Sequence, residues 1–311
     1  MKKDSKILVL GSRGLVGSAI VRQLEKAGHT NILKPVRKEL DLLNQRDVQS
    51  YFSIKNPEYV FLAAAKVGGI HANNTYRADF ILQNLGIQQN VIGTSAFTPS
   101  VKRLLFLGSS CIYPKDSKQP IKEEYLLSSP LEPTNEPYAI AKIAGLKLCE
   151  SIRKQYGKEF FSAMPTNLFG EYDNFDLINS HVIPGLIARI SLAIKNGDKE
   201  FKAWGTGKPM REFLYVDDMA DACLHIMKHQ GQLPDLINIG SGDDICIKDL
   251  VQMIADKLGF NGRIKFDSSK PDGTLKKLLD IDRIKSLGWK PSTPLSDGLD
   301  KSIEFYKKNY Q

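Results

Sequence analysis

The sequence predicts an α/β protein: a doubly wound parallel sheet with a smaller, discontinuous C-terminal lobe. Three observations carry that reading. Short apolar runs alternate with helix-length segments through the first half of the chain. A glycine-rich turn joins the first apolar run to the first helix. Two later stretches, 173–210 and 245–311, break the alternation.

The apolar runs at 7–10, 31–35, 59–63 and 103–108 read as strands. Segments 17–27, 47–55, 78–97 and 138–156 read as the helices between and after them. Runs 161–165 and 237–239 look like later strands of the same sheet. The first interruption carries a helix at 182–196, and the second carries helices at 247–258 and 295–307. The division expected is a dinucleotide domain of 1–172 and 211–244 and a substrate lobe of 173–210 and 245–311. The lobe sits at the edge of the sheet where ligands of open α/β folds bind.

The chain has 311 residues, 42% hydrophobic and 25% charged, which suits a globular protein with a sizeable core. A net charge of +8 raises the question of nucleic acid. The lysines and arginines are scattered among acids rather than gathered in one tract, so handling of phosphorylated small molecules explains the excess equally well. No apolar run approaches a membrane span, and the expected location is the cytoplasm. Cys111, Cys149, Cys223 and Cys246 show no metal spacing and read as reduced thiols, so no metal is expected.

Gly11, Arg13, Gly14, Leu15, Val16 and Gly17 lie in a turn that follows a strand and opens a helix. Glycines there permit a tight turn and close backbone approach, and the helix N-terminus attracts a pyrophosphate. This context points to a Rossmann-type dinucleotide site, although such a turn can also be purely structural. After the second strand stands Arg37, with Arg13 inside the turn, and two guanidiniums suit a 2′-phosphate. NADPH is therefore the expected cofactor. Glu39 and Asp41 lie close by, with Asp41 and Leu42 near the adenine edge, and Arg37 as a plain surface residue is the competing reading. Ala63 and Ala65 end the third strand with small side chains that let backbone approach the cofactor, or simply pack tightly.

Tyr138 and Lys142 stand four positions apart on one helical face. A nearby ammonium favours the phenolate, so the tyrosine pKa is expected to fall toward working pH. Such a pair is also a common solvated helix face. With Ser109 at the end of a strand, the set can converge on one carbon–oxygen bond beside a nicotinamide. Cys111 follows Ser109 and Ser110, and His181 precedes an apolar helix; alone, each reads more simply as a packing thiol and a cap.

The segments 108–114 (GSSCIYP), 132–142 (EPTNEPYAIAK), 164–169 (MPTNLF), 179–184 (NSHVIP), 205–218 (GTGKPMREFLYVDD) and 270–274 (KPDGT) span nearly the whole chain. With the turn at 11–17 they resemble the extended short-chain dehydrogenase/reductase family. The resemblance implies epimerisation of GDP-4-keto-6-deoxy-D-mannose at C3 and C5, then NADPH reduction of the C4 ketone, by a homodimer. Ser109 and Tyr138 would steady the developing enolate oxygen. Inverting a carbon needs a base and an acid, and Cys111 and His181 fit as that pair. Tyr138 would then protonate the C4 oxygen, with Lys142 and His181 also against the cofactor. Ser110 and Asn167 would orient the sugar or cap local backbone. Arg189 and Arg211 are the candidates for the diphosphate, and Trp204 lines the pocket or is core. Asn179, Lys270 and Asp272 are further binding candidates. Asp217 and Asp218 read as helix caps. Glu171 stands where proline is expected, and Lys276 and Lys277 where an arginine is common. The competing readings are another nucleotide-sugar epimerase, reductase or dehydratase, and a non-catalytic NADP(H)-sensing binding protein.

Overall fold

The computed structural model describes residues 1–269 and 272–311. β1 (Ile7–Leu10) is buried at every position, which an all-apolar strand between two helical layers permits. It leads into α1 (Leu15–Lys26), β2 (Ile32–Leu33), α2 (Gln45–Lys55), β3 (Tyr59–Leu62), α3 (Ile70–Thr75) and α4 (Arg77–Phe97). β4 (Arg103–Leu107), α5 (Glu136–Tyr156) and β5 (Glu159–Pro165) continue the alternation. The chain then leaves the sheet through β6 (Asn167–Phe169), α6 (Val182–Asn196), β7 (Glu200–Trp204) and β8 (Met210–Tyr215). It returns with α7 (Val216–Lys228) and β9 (Leu236–Ile239). It ends in β10 (Asp244–Cys246), α8 (Ile247–Leu258), β11 (Arg263–Asp267), β12 (Lys276–Lys277), α9 (Asp282–Ser286) and α10 (Leu295–Tyr310).

The main sheet is six-stranded and parallel, in the order β2-β1-β3-β4-β5-β9. This is the doubly wound Rossmann-type sheet the sequence predicts. Ile7 lies opposite both Ile32 and Tyr59, so β2 and β3 flank β1 and the strand order reverses there. That switch point opens a crevice at the carboxyl ends of the strands. β2 is shorter than the 31–35 run, because the ladder stops before Lys34 and Pro35, and proline has no N–H to donate.

Helix ends follow local chemistry. Asn44 accepts hydrogen bonds from the backbone N–H groups of Arg46 and Asp47, so α2 opens ahead of its apolar pattern. α5 carries Pro137 in its first turn and stops at Gly157, whose φ of 66° suits a residue without Cβ. α4 and α5 pack together on one face, with Phe80 edge-on to Tyr138 at 6.0 Å.

A second, mixed sheet is centred on β8, which pairs antiparallel with β10 and parallel with β6 and β12. β7 and β11 form a separate parallel pair. Phe169, Phe175, Ile187, Phe213, Tyr215, Ile254 and Leu299 belong to the core of this part. The packing departs from boundaries at 211 and 245. Leu214 belongs to the main core while Phe213 and Tyr215 belong to the second, because alternate residues of one strand face opposite sides. Leu279, Ile281, Ile284 and Trp289 return to the main core. The indole of Trp289 donates to Asp221 at 2.9 Å, and Asp280 N donates to Ile121 O at 2.8 Å.

Candidate active site

The ends of β1, β3, β4 and β5 border a cleft of about 980 Å³. At its cofactor end Gly11 has φ +86°, and a Cβ there would lie 2.8 Å from the Ala64 amide nitrogen. A Cβ on Gly17 would lie 2.0 Å from the Gly11 carbonyl oxygen. Backbone thus fills the space where side chains would stand, and a ligand can approach the main chain. Gly14 caps α1 without any side-chain hydrogen bond, so the first-turn N–H groups around Leu15 and Val16 are left for an anion.

Arg13 and Arg37 are exposed and both line the cleft. The two acids after β2 are engaged in their own turns. Glu39 accepts from Val36 N at 3.0 Å, and Asp41 accepts from Leu43 N at 3.1 Å. The donor set therefore fits a dinucleotide that carries a 2′-phosphate. Leu42, Ala63 and Ala65 line the same wall.

At the other end, β4 runs out at Leu107 and Gly108. A Cβ on Gly108 would lie 2.0 Å from the Met164 methyl carbon, so β4 and β5 pack backbone to side chain there. Ser109 accepts from the Cys111 N–H at 3.4 Å and starts a one-turn 3-10 helix, Ser110–Ile112. Ser109, Cys111, Tyr138, Lys142 and His181 all line this one cleft.

Their electrostatics correct one expectation. Burial pushes the half-buried Tyr138 phenol well up, Cys111 adds to the rise, and the Ser109 hydroxyl opposes it. Lys142 does not lower it. Burial brings the Lys142 ammonium itself down to about 8, and its Nζ donates to the Leu107 carbonyl at 2.7 Å. The desolvation cost of a buried charge exceeds the benefit the tyrosine could draw from it. Tyr138 is thus a proton donor held in its neutral form. Burial also raises the Cys111 thiol, with Lys277, Ser109 and Lys142 opposing. His181 is exposed to the cleft, and desolvation by the surrounding protein holds its imidazole below the usual value.

Of the substrate candidates, Ser110 and Asn167 line the cleft. Asn167 is partly committed, because its amide donates to the Glu212 carbonyl at 2.8 Å. Asn179, Arg189, Trp204, Arg211 and Asp272 stand outside the cleft lining. The Asn179 carbonyl accepts from Gly69 N at 3.3 Å. Trp204 is 49% exposed rather than core, and the Arg189 guanidinium lies 4.6 Å from its ring centre. Arg211 donates to the Met210 and Asp272 carbonyls, while the Asp272 carboxylate takes both donors of Thr206 at 2.7 Å. Lys270 lies outside the described residues. Asp217 pairs with Arg22 at 2.6 Å, and Asp218 accepts from Ser292 and Thr293, so both acids have protein partners. Among the described residues no cluster of three or more His, Cys, Asp or Glu could hold a metal.

Two charged groups on the cleft wall are not among the site residues expected from sequence: Asp173, and Lys277, which the sequence marks only as standing where an arginine is common. Asp173 is 7% exposed; one carboxylate oxygen accepts from Asn174 N at 2.8 Å and the other has no partner. Burial raises its carboxyl to about 7. Asn73 and Asn135 also line the cleft, each with a buried, unpartnered carbonyl oxygen. A lone Asp or Asn in a loop or a one-turn helix has no periodicity to single it out, so the sequence offered no signal for Asp173, Asn73 and Asn135.

The NAD dependent epimerase/dehydratase family matches residues 7–240. The chain is similar to GDP-L-fucose synthase 1 of Arabidopsis thaliana, 55% identical over 99% of this chain and 94% of that one. It is similar to GDP-L-fucose synthase of Escherichia coli (strain K12), 51% identical over 98% of this chain and 97% of that one. Among solved structures, a GDP-L-fucose synthetase from Naegleria fowleri bound to NADP superposes with a TM-score of 0.92 at 31% identity, covering 100% of this chain and 95% of that one.

Proposed function

The chain belongs to the NAD dependent epimerase/dehydratase family, and from that premise we propose that it converts GDP-4-keto-6-deoxy-D-mannose to GDP-L-fucose with NADPH. The observation that carries this reading is the convergence of Ser109, Cys111, Tyr138, Lys142 and His181 on the cleft that also holds the Gly11–Gly17 turn.

NADPH, when bound, supplies the hydride for C4. The Gly11–Gly17 turn, Arg13 and Arg37 would hold it, with Lys142 against its reacting end. Ser109 and the neutral Tyr138 donate hydrogen bonds to the C4 oxygen, which makes the protons at C3 and C5 acidic enough to remove. Cys111 and His181 take a proton from one face of the sugar and return one to the other. Tyr138 then gives its proton to the C4 oxygen. Ser110 and Asn167 orient the sugar. Asn179, Arg189, Trp204 and Asp272 on the 173–210 and 245–311 lobe, with Arg211 at the start of the 211–244 segment, hold the nucleotide and diphosphate beyond the cleft, and Lys270 is a further candidate outside the described residues; 1–172 and 211–244 supply most of the cofactor domain.

Leu82 and Phe97 on α4 and Ile140 and Tyr156 on α5 are exposed apolar residues on two neighbouring helices. They support a homodimer formed by pairing these helices across a two-fold axis. No helix among the described residues is long and apolar enough to cross a membrane. The proposed location is the cytoplasm, where reduced thiols and phosphorylated substrates belong together.

The deciding experiment incubates the protein with the keto sugar and NADPH in deuterated water and reads the product by NMR. Deuterium at C3 and C5 with stoichiometric NADPH loss is expected. NADPH loss without deuterium would leave a simple ketone reductase, and no turnover with intact NADPH binding would leave a sensor.

A further inference from the structure

We infer that Lys277 is a positioning cation for Cys111: its ammonium supplies the counter-charge for the thiolate that forms during each epimerisation. The inference rests on the reading of Cys111 as a proton-transfer group.

Both residues line the active-site cleft. Cys111 is 8% exposed at the foot of its 3-10 turn. Lys277 is half-buried, and among the described residues its ammonium has no hydrogen bond or ion pair, whereas its neighbour Lys276 pairs with Asp244 at 3.1 Å. Its backbone is fixed from two sides. β12 pairs with β8, which places Lys277 opposite Arg211. The next residues are tied to the loop that follows Cys111. Leu278 N donates to the Gln119 side chain at 2.8 Å, and Ile121 N donates to Leu278 O at 2.7 Å. Leu279 N donates to the buried Glu212 carboxylate at 3.0 Å. Lys277 is therefore pinned to the same loop system that carries the thiol.

Ser109 and Lys142 also favour the thiolate, behind Lys277, but both have protein partners. Lys142 on α5 donates to the Leu107 carbonyl, Tyr138 on the same helix holds its proton, and Ser109 accepts from the Cys111 backbone. Lys277 is the foremost charge favouring the Cys111 thiolate, and the thiolate in turn favours the Lys277 ammonium. Arg211 on β8 opposes that ammonium, while Glu212 on β8 and Glu132 ahead of α5 support it. His181 is the remaining titratable partner on the cleft wall. Whether the proton travels from carbon to sulfur or from sulfur to carbon, Cys111 is ionised at one end of the step. A buried thiolate without a counter-charge is costly.

The test uses the full chain with Lys277→Met, Lys277→Gln and Lys277→Arg. Alkylation of Cys111 by iodoacetamide is followed against pH, with the modified peptide identified by mass spectrometry so that Cys246 does not confuse the result. In the Met and Gln variants the midpoint should move up by about one pH unit, a roughly tenfold loss of rate below the midpoint. The Arg variant should stay near the native midpoint. Deuterium incorporation at C3 and C5 should shift to higher pH in parallel. Should Met disturb the fold, Gln keeps the polarity of the site and carries the same comparison. An unchanged Cys111 midpoint in a folded neutral variant overturns the inference; if the sugar KM rises at the same time, Lys277 serves the diphosphate instead. Because alkylation needs no turnover, absence of deuterium exchange in the native protein would sink the proposed reaction without deciding this pair.

Discussion

The Lys142 ammonium lies 5.7 Å from the centre of the Tyr138 ring and donates its hydrogen bond to the Leu107 carbonyl at 2.7 Å. The lysine is thus anchored to the end of β4 rather than spent on the phenol. Its ammonium titrates at about 8 in the folded protein against 10.5 ordinarily. Between those values the unfolded chain holds a proton that the folded chain has lost, so this group makes stability rise with pH across that window. Lys142→Met has no such dependence. The native melting temperature should gain on that of the Met variant from pH 8 to 10.5, with the variant at least as stable at pH 7. A gap that does not change with pH would refute this. The same variant should lose on the order of 100-fold in C4 reduction.

That relationship also marks how far the sequence could be read. Spacing placed Tyr138 and Lys142 on one face and the strand end placed Ser109 near them, and all three line one cleft, so that grouping was legible from residue types and positions. The direction of the Tyr138 shift was not, because it depends on how much protein surrounds the phenol and on where the lysine's hydrogen bond goes. The alternating main sheet was legible from its buried apolar strands. The second sheet was not. β12 is two lysines and β10 is Asp-Ile-Cys, and such strands owe their existence to pairing with β8 rather than to any pattern of their own.

Asp173 should make stability depend on pH in the acid range. Its carboxyl is raised from 3.8 to about 7 by burial. Between those values the folded chain holds a proton that the unfolded chain has lost, so stability falls as pH rises from about 4 to 7. Asp173→Asn removes the titration. The unfolding free energy of Asp173→Asn minus that of the native protein should grow from pH 4 to 7 and level off above, by on the order of a few kcal/mol. Calorimetry across that range checks it, and a flat difference would remove the raised carboxyl.

Gly17 should tolerate no side chain. The added Cβ of Gly17→Ala meets the Gly11 carbonyl oxygen at 2.0 Å, and backbone cannot yield as a flexible side chain can. The turn must shift, and with it the N–H groups aimed at the pyrophosphate. NADPH affinity should fall at least about tenfold, or about 1.4 kcal/mol, by fluorescence titration. Gly157→Ala is the contrast. Unlike Gly17 it has positive φ, +66°, but nothing lies within 4 Å of its Cβ, so NADPH affinity should hold while stability drops by about 1 kcal/mol.

Trp204 and Arg189 should act on substrate affinity rather than on chemistry. Trp204 is 49% exposed, with the guanidinium of Arg189 4.6 Å from its ring centre and that guanidinium tied to the Lys202 carbonyl at 2.6 Å. An aromatic plane held beside a fixed cation is suited to a purine base and a phosphate, and base–aromatic stacking is worth about 1–3 kcal/mol. Trp204→Ala should therefore raise the KM for the GDP-sugar by roughly tenfold. It should leave kcat and NADPH affinity nearly unchanged, and Trp204→Phe should recover much of the loss. Because the indole is half exposed, its removal should cost less than about 1 kcal/mol of stability. A fall in kcat at constant KM would move Trp204 from nucleotide recognition to the reacting end of the site. A drop in melting temperature that accounts for the lost activity would make it a packing residue.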